Sequence, residues 1–320
     1  MSILHATHLV RSYHVRGGVF RAGSAIKAVD GVSLTLQANR TLGLVGESGS
    51  GKTTLARLLL GLERPTSGEV RFKDTPMPKP DSAAWRALRA KMQLVYQNPR
   101  AALDPRVSIV DSVREPLLVH DTGFVGDGPL RATAALESVG LGLEFYTKRP
   151  HELSGGQLQR AVLARAFVTL PEILVCDEPV SALDPSIQAQ VIATLIEQQK
   201  RSHVSILFIS HDLRVVRQVA DEVAVMYLGR IVEQGPTERV LHAPRHPYTQ
   251  ALIAAVPVIG PRHTPRILLA GETPDPANPP QGCPFHPRCV QAQDRCRTDR
   301  PALRDVAGAG LVACHLVGHS

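Results

Sequence analysis

The stretch at residues 46–53, Gly-Glu-Ser-Gly-Ser-Gly-Lys-Thr, combines the residue types that bind a phosphate group. Its three glycines leave backbone N–H groups free to point at phosphate oxygens, Lys52 adds a positive charge, and the Thr53 hydroxyl can bind Mg²⁺. An apolar run precedes it at residues 41–45, and leucines at helical spacing follow it up to Pro65. We therefore predict a P-loop with the following nucleotide-binding residues: Gly46, Glu47, Ser48, Gly49, Ser50, Gly51, Lys52, Thr53 and Thr54.

A second anion-binding surface is predicted at residues 153–157, Leu-Ser-Gly-Gly-Gln. This stretch opens an amphipathic helix predicted at residues 157–170, so bare backbone N–H groups and the positive end of the helix dipole are available to an anion. It contains no lysine and therefore cannot replace the P-loop. Its predicted contact residues are Ser154, Gly155, Gly156 and Gln157.

Two adjacent carboxylates end the apolar segment at residues 173–176. Because ligands bind at the carboxyl ends of strands in doubly wound sheets, Asp177 is placed to hold Mg²⁺ and Glu178 to face an attacking water. Ionised carboxylates are costly at the end of a buried strand unless a cation offsets their charge, which favours a functional role over a structural one.

Two further polar residues follow predicted strands. His211 can donate a hydrogen bond to a terminal phosphate. Alternatively, Asp212 caps a helix at residues 213–219 and His211 is incidental, and both interpretations can hold together. Gln97 is placed to contact Mg²⁺ and the attacking water. The predicted catalytic residues are Glu178, His211 and Gln97, and the predicted magnesium ligands are Thr53, Gln97 and Asp177.

These residues require a parallel sheet to position them. From residue 41 onward, predicted strands alternate with helices, as in a parallel sheet with crossover helices. The expected strands of that sheet lie at 42–45, 93–96, 173–176, 206–209 and 223–226. Earlier strands at 3–10 and 28–36 indicate an antiparallel edge layer. Between residues 99 and 170 the pattern is helical only, at 108–119, 130–139 and 157–170.

The C-terminal tail has a different composition, because prolines become dense from about residue 243. Such density favours extended, irregular structure. We therefore predict an α/β P-loop NTPase core with an antiparallel β edge layer, an inserted helical subdomain and an irregular Pro- and Cys-rich extension. The predicted domains are 1–242 and 243–320.

Composition narrows the classes of partner. The chain has 320 residues, of which 43% are hydrophobic, enough for one large domain or two modest ones. No apolar run approaches the roughly 18 residues that span a bilayer, and the first residues do not read as a secretory signal, so we expect a cytosolic chain. The net charge is +7, but the arginines are scattered and aromatic residues make up only 4%, which disfavours nucleic acid as a partner.

These motifs, in this order, resemble the ATP-binding subunits of ABC transporters over nearly the whole chain. The resemblance implies that the nucleotide is ATP and that two such subunits pair head to tail, each ATP lying between one P-loop and the partner's signature. It implies that Tyr13, or alternatively Phe20, stacks on the adenine. By this resemblance, the motifs of the family lie at the following positions: Walker A at 46–53, the Q-loop at Gln97, the signature at 153–157, Walker B ending at Asp177, the catalytic glutamate at Glu178, the D-loop ending at Asp184 and the switch histidine at His211.

Several stretches resemble the oligopeptide, dipeptide and nickel importers, and most of all the second ATPase subunit of a dipeptide permease. They lie at 45–49, 96–99, 104–106, 178–184 and 246–252. Pro185 replaces the valine usual in the family, at a first helical position that tolerates proline. Nickel or glutathione as cargo, and a soluble ABC ATPase without a transport role, remain alternatives.

This resemblance implies an enzyme that couples ATP hydrolysis to peptide import from the cytoplasmic face of the inner membrane. The implied partners are a homologous second ATPase subunit, two integral membrane permease subunits and, indirectly, a substrate-binding protein.

Four cysteines lie in the Pro-rich tail, at Cys283, Cys289, Cys296 and Cys314. In a cytosolic chain they indicate a metal site more than disulfides. Their spacing is wider than in zinc knuckles, and four thiolates also satisfy a [4Fe–4S] cluster. Similar cysteines in the peptide importers have been linked to such a cluster, which we expect here; zinc or no metal are the alternatives. Cys176 is most simply a buried apolar residue.

Overall fold

The structure, a computed structural model, describes residues 2–15, 24–120, 127–256, 271–308 and 310–317. The loop predicted at 16–23, which contains Phe20, and residues 257–270 of the tail lie outside the described residues. The chain divides into two compact units. Unit 1 comprises residues 1–3, 36–41 and 75–209, and unit 2 comprises residues 4–35, 42–74 and 210–320.

Strands and helices alternate along most of the described chain. The strands are β1 (Ser2–Val15), β2 (Ser24–Gln37), β3 (Thr41–Val45), β4 (Ser67–Phe72), β5 (Thr75–Pro76), β6 (Met92–Val95), β7 (Ile173–Asp177), β8 (Ser205–Ile209), β9 (Glu222–Tyr227), β10 (Arg230–Pro236), β11 (Arg304–Val306) and β12 (Gly310–Val312). The α-helices are α1 (Lys52–Leu59), α2 (Ala83–Lys91), α3 (Ile109–Val119), α4 (Gly128–Ser138), α5 (Leu143–Tyr146), α6 (Gly155–Phe167), α7 (Pro185–Ser202), α8 (Leu213–Val219), α9 (Thr237–His242), α10 (Pro247–Ala255) and α11 (Asp294–Thr298).

Unit 2 begins with the predicted antiparallel layer, in which β1 lies between β2 and β4. Leu4 of β1 lies opposite Phe72 of β4. In β2, Val32 and Leu34 are buried while Ser33 between them is exposed, the alternation expected of a strand with one face in the core.

The remaining strands of unit 2 lie in the order β11, β12, β10, β9 and β3. β3 is parallel to β9, whereas β10 is antiparallel to it. β9 and β10 are joined at Leu228 and Gly229, whose φ angles of 43° and 78° fit a two-residue hairpin turn. β10 was not predicted from the sequence.

Unit 1 contains the parallel strands β6, β7 and β8, with β7 in the centre. The predicted helical insertion follows β6 and is made of α3, α4, α5 and α6. The core side of α6 is apolar, with Leu158, Val162 and Phe167 buried. The predicted strands 93–96 and 173–176 differ from β6 and β7 by one residue at most.

The tail is irregular over much of its described length, but it also contains α10, α11 and the strands β11 and β12. Pro247 lies at the first position of α10, where its missing N–H would have no helical partner. β12 pairs with β10, so Leu311 lies opposite Gln234 and the tail extends the sheet. None of the helices in the described ranges is both long enough and apolar enough to cross a bilayer.

The buried N-cap of α10 makes stability depend on pH. His246 is 1% exposed, and its Nδ1 accepts the Tyr248 N–H at 3.0 Å. Burial lowers the pKa of His246 from 6.5 to about 3. Below pH 6.5 the unfolded chain therefore binds a proton that the folded chain does not bind until about pH 3, so stability falls as the pH falls through this window. The expected slope is at most about 1.4 kcal/mol per pH unit.

The measurement is the free energy of unfolding in urea between pH 5 and pH 8, compared with His246→Asn, which keeps an N-cap acceptor but does not titrate. The comparison is needed because burial raises the pKa of neighbouring Glu233, which acts in the opposite direction. Below pH 6.5 the wild-type protein should lose stability relative to the variant. Parallel pH profiles would contradict the assignment.

Candidate functional site

The P-loop connects β3 to α1 and closes around the side chain of Lys52. This residue is 6% exposed. Its Nζ donates to the carbonyl oxygens of Gly46 and Glu47, both at 2.8 Å, and lies 3.5 Å from Ser50 Oγ. The loop's own carbonyls therefore set the position of the ammonium group.

Two glycines are required by the backbone of this loop. Gly46 and Gly51 have φ angles of 156° and 101°, which L side chains rarely adopt. A Cβ at Gly46 would lie 2.2 Å from the carbonyl oxygen of Met226, and one at Gly51 would lie 2.0 Å from that of Ala28. The glycines at these two positions therefore let the loop approach neighbouring backbone closely.

Gln97 and Glu178 meet in unit 1, where β6 and β7 end. Gln97 Nε2 donates to Glu178 Oε2 at 3.2 Å. The Glu178 N–H donates to the carbonyl of Ile209 at 3.0 Å, and its φ of 50° lies in the left-handed region. Asp177 is the last residue of β7. The structure thus brings together the amide and the carboxylate that the sequence predicts to face a water molecule.

The signature residues form the first turn of α6. Ser154 is the N-cap, and its Oγ accepts the Gln157 N–H at 3.3 Å while Gln157 Oε1 accepts the Ser154 N–H at 2.9 Å. This capping box uses two of the free donors at the helix start. The N–H groups of Gly155 and Gly156 precede the first intrahelical bonds, so they are the donors that an anion can take.

Gly156 also allows α6 to pack against α7. A Cβ at this position would lie 2.3 Å from Ile187 Cγ2. The D-loop residue Asp184 is the N-cap of α7, and Pro185 is its first residue, as the sequence predicts.

His211 lies just before the start of α8. Asp212 Oδ1 accepts the Arg214 N–H at 2.9 Å as the N-cap of α8, so the predicted cap is present and His211 directly precedes it.

The Tyr13 hydroxyl donates to Glu63 Oε2 at 2.5 Å, and the guanidinium of Arg11 lies 4.7 Å from the centroid of the Tyr13 ring. One face of the Tyr13 ring is therefore covered by Arg11.

The predicted site residues form one set in each unit. Unit 1 holds the residues of the Q-loop, the end of β7, the signature and the D-loop. Unit 2 holds the P-loop, Tyr13, His211 and the four tail cysteines.

Two family models match the chain. The ABC transporter model matches residues 29–181, and the model for the C-terminal region of oligopeptide/dipeptide transporters matches residues 232–296. The dipeptide transport ATP-binding protein DppF of Haemophilus influenzae is 45% identical over 98% of this chain and 96% of its own length. The oligopeptide transport ATP-binding protein AppF of Bacillus subtilis is 43% identical over 98% of this chain and 97% of its own.

The chain belongs to the ABC transporter ATP-binding proteins of the peptide importer family. The family predicted from the motifs is therefore confirmed. Proteins of this family are ABC ATPases that hydrolyse ATP to drive transport. The alternative of a soluble ABC ATPase without a transport role is therefore excluded.

Solved ABC cassettes support the fold class. The structure of CbiO1 from Clostridium perfringens, part of an ABC transporter complex, is 27% identical and has a TM-score of 0.64, with 76% of this chain and 91% of that chain covered. The dimeric, ADP- and phosphate-bound cassette MJ0796 is 24% identical with the same TM-score of 0.64, and it covers 73% of this chain and 99% of that one. The α/β ABC ATPase fold with its antiparallel β layer is thus confirmed.

The tail cysteines of this ABC ATPase lie near one another in unit 2. Cys283, Cys296 and Cys314 are buried and Cys289 is half-buried, and the Cys283 N–H donates to the carbonyl of Cys296 at 2.9 Å. Burial raises the pKa of Cys283 to about 11, with smaller contributions from the other three thiols. Within the described ranges, no three His, Cys, Asp or Glu side chains are arranged to hold a single metal ion.

Cys176, by contrast, is fully buried in β7, and burial raises the pKa of its thiol well above the usual range, as expected of a small apolar core residue.

Three residues that contact the P-loop were not predicted from the sequence. Tyr248, Thr273 and Arg288 all bond to Glu47. Tyr248 lies in the stretch 246–252 that resembles the peptide importers, and this was the one signal that pointed to it. Thr273 and Arg288 lie outside the stretches that carried the resemblance in the sequence, although both fall within residues 232–296, which match the oligopeptide/dipeptide transporter model.

Proposed function

We propose that residues 46–54 bind ATP and Mg²⁺ and that Glu178 is the general base of hydrolysis. The observation that carries the proposal is the hydrogen bond from Gln97 to Glu178, because it orients a carboxylate at the end of an apolar strand in a chain that also has a complete P-loop. A positioned carboxylate of this kind accepts the proton that an attacking water loses.

The roles of the residues follow from their chemistry. Lys52 and the loop N–H groups bind the phosphates, and Thr53, Gln97 and Asp177 hold Mg²⁺, which when bound neutralises charge developing on the phosphates. Glu178 takes the proton of the attacking water, Gln97 orients the water, and His211 donates a hydrogen bond to the terminal phosphate. The ring of Tyr13 stacks on the adenine with the face that Arg11 leaves open.

We also propose that a partner subunit's ATP binds at the start of α6. The capping box leaves the N–H groups of Gly155 and Gly156 as donors, and Ser154 and Gln157 fix the turn that presents them. Asp184 contributes to the same interface.

The partner is a homologous ATPase subunit, and the pair acts on two membrane permease subunits from the cytoplasmic face of the inner membrane. A substrate-binding protein delivers the cargo. The functional boundary between the ATPase domain and the extension lies at residues 242 and 243.

The proposed cargo is dipeptides and oligopeptides. Two features support it: the match of residues 232–296 to the oligopeptide/dipeptide model, and the dipeptide and oligopeptide transport named for the relatives. Cells lacking this subunit should lose uptake of labelled di- and oligopeptides and regain it with the wild-type gene but not with Glu178→Gln. Loss of nickel or glutathione uptake instead, with peptide uptake unchanged, would replace the proposed cargo.

We propose further that the four tail cysteines hold a [4Fe–4S] cluster. The four thiols lie near one another in unit 2: burial raises the pKa of three of them, and the fourth, Cys296, lies close enough to add to each of these rises. Their spacing along the chain is wider than in the paired cysteine knuckles of zinc sites, which favours a cluster over zinc. Iron, sulfide and zinc analysis of protein purified without oxygen distinguishes a cluster, a zinc ion and an empty site.

A further inference from the structure

Glu47, the second residue of the P-loop, is held by side chains from the C-terminal extension, residues 243–320. Arg288 donates two hydrogen bonds to its carboxylate, from Nη1 to Oε2 at 2.8 Å and from Nη2 to Oε1 at 3.0 Å. The Thr273 hydroxyl donates a third, to Oε2 at 3.0 Å. The backbone N–H of Glu47 donates to the Tyr248 hydroxyl at 2.9 Å. The extension therefore binds both the side chain and the backbone of this residue.

The ion pair between Arg288 and Glu47 has the geometry and burial of a strong interaction. It is bidentate and charge-assisted, and the two side chains are only 6% and 23% exposed. Burial alone would raise the pKa of Glu47, but the hydrogen bonds from Arg288 and Thr273 outweigh it and hold the pKa below its usual range. Glu47 is therefore an anion at neutral pH and a full partner for the guanidinium.

Arg288 is itself held in place by aromatic packing. Its guanidinium lies 6.0 Å from the ring centroid of Tyr227. The Tyr227 ring packs against Tyr248 and Phe285, with centroids 4.6 Å and 5.4 Å apart. The backbone N–H of Arg288 also donates to the backbone carbonyl of Phe285 at 3.0 Å. An arginine that is fixed before the bond forms loses little side-chain entropy in making it.

Glu47 in turn sets the position of the phosphate-binding lysine. Its carbonyl accepts the Lys52 ammonium at 2.8 Å and the Ser50 N–H at 3.2 Å. The N–H, the carbonyl and the carboxylate of Glu47 are thus all bonded, and only the carbonyl is bonded within the loop. A shift of Glu47 would move the group that holds Lys52.

We propose that Arg288 is a positioning residue for ATP binding: by holding the Glu47 carboxylate it keeps the P-loop and Lys52 in the geometry that receives the phosphates. The inference rests on the proposed role of residues 46–54 as the ATP site. It makes the extension a part of that site through its contacts with Glu47.

The test is the nucleotide affinity of the isolated subunit and the kinetics of the assembled transporter. Arg288→Gln should weaken ATP binding about tenfold, the equivalent of about 1.4 kcal/mol, and raise KM with kcat nearly unchanged. Arg288→Lys keeps the charge but loses the bidentate geometry, so it should lie between the wild type and Arg288→Gln. Glu47→Gln should show the same defect, and the double variant should be no worse than either single one.

Arg300→Gln is the matched control. Arg300 is another arginine of the extension that pairs with a carboxylate, Asp30, at 3.4 Å, but Asp30 is outside the P-loop. This variant should bind ATP like the wild type. Lys52→Met serves as the control for the ATP site itself.

Wild-type ATP affinity in folded Arg288→Gln, with affinity lost in Lys52→Met, would overturn the role of Arg288 alone. Wild-type affinity in Lys52→Met would instead overturn the proposed ATP site. Equal losses in Arg288→Gln and Arg300→Gln would show a general structural role of the extension and would also overturn the proposal. If Arg288→Gln does not fold, Arg288→Lys and Glu47→Gln decide the question by the same measurements.

Discussion

Replacing Glu178 with glutamine will abolish ATP turnover by the assembled transporter while ATP binding is kept. Glutamine keeps the size of the side chain and can still accept the hydrogen bond that Gln97 donates at 3.2 Å. It cannot take a proton from water. Removal of a general base typically costs about 10²-fold to 10⁴-fold in rate, so phosphate release at saturating ATP should fall by at least about a hundredfold.

The matched control is Glu172→Gln, which makes the same chemical change just before β7. Glu172 pairs with Lys91 at 3.3 Å near the opposite end of that strand from Glu178. Its exchange should leave the turnover rate close to that of the wild type. Hydrolysis at the normal rate in Glu178→Gln would assign the base to another residue.

The same variant provides a trap for the partner interface. Because it should hold ATP without hydrolysing it, a complex of Glu178→Gln with its cognate subunits should show Ser154, Gly155 and Gly156 next to a terminal phosphate of the partner's nucleotide. A structure of that complex with Ser154 far from every terminal phosphate would reject the shared ATP site.

Those parts of the site that depend on local sequence were predictable. The P-loop backbone needs glycine at positions 46 and 51 for steric reasons. A short stretch of adjacent residues is therefore enough to recognise the loop. α6 begins two residues before the helix predicted at 157–170, because Ser154 and Gln157 form a capping box, whereas the start of α8 follows from Asp212 before an apolar run, as predicted.

The support of Glu47 was not predictable, because its partners are distant in the chain. Tyr248 and Arg288 lie 201 and 241 residues beyond Glu47. Arg288 is one of many arginines scattered along the chain, and nothing around it marks it as buried. Only the folded chain shows that this arginine pairs with the P-loop.

The predicted strands agree with the structure where apolar residues are continuous. β7 and β8 are buried along almost their whole length, which makes their sequences easy to recognise. β4 and β10 were not predicted, because polar residues interrupt the apolar ones in both sequences. β4 buries only Val70 and Phe72, and β10 buries a carboxylate, Glu233, whose oxygens accept the N–H groups of residues 245 and 246. Tertiary contacts therefore outweigh local composition in these two strands.

Replacing Lys52 with methionine will reduce the affinity of the isolated subunit for ATP by about tenfold to a hundredfold. Methionine can fill the space of the lysine stem, which is almost fully buried, but it carries no charge. Of the three donors of the Lys52 ammonium, two go to the carbonyls of Gly46 and Glu47, so one is left for a phosphate oxygen. A hydrogen bond to a charged group contributes about 1.5–3 kcal/mol, and about 1.4 kcal/mol changes affinity tenfold, so the loss of that bond accounts for an effect of about tenfold to a hundredfold. Calorimetric titration with ATP and Mg²⁺ measures it.

Lys27→Met is the control with the same chemical change. Lys27 is 57% exposed and lies 3.6 Å from Asp30 on β2, outside the P-loop, so this variant should bind ATP normally. If it lost affinity as Lys52→Met does, the effect would reflect net charge and not the P-loop.

A third variant separates the charge of Lys52 from its geometry. Lys52→Arg keeps the positive charge, but a planar guanidinium cannot point its donors at the Gly46 and Glu47 carbonyls and at phosphate oxygens from one compact centre, as an ammonium can. Affinity should therefore fall below that of the wild type yet stay above that of Lys52→Met. An affinity as low as that of Lys52→Met would mean that the two carbonyl bonds, and hence the shape of the loop, matter more than the charge.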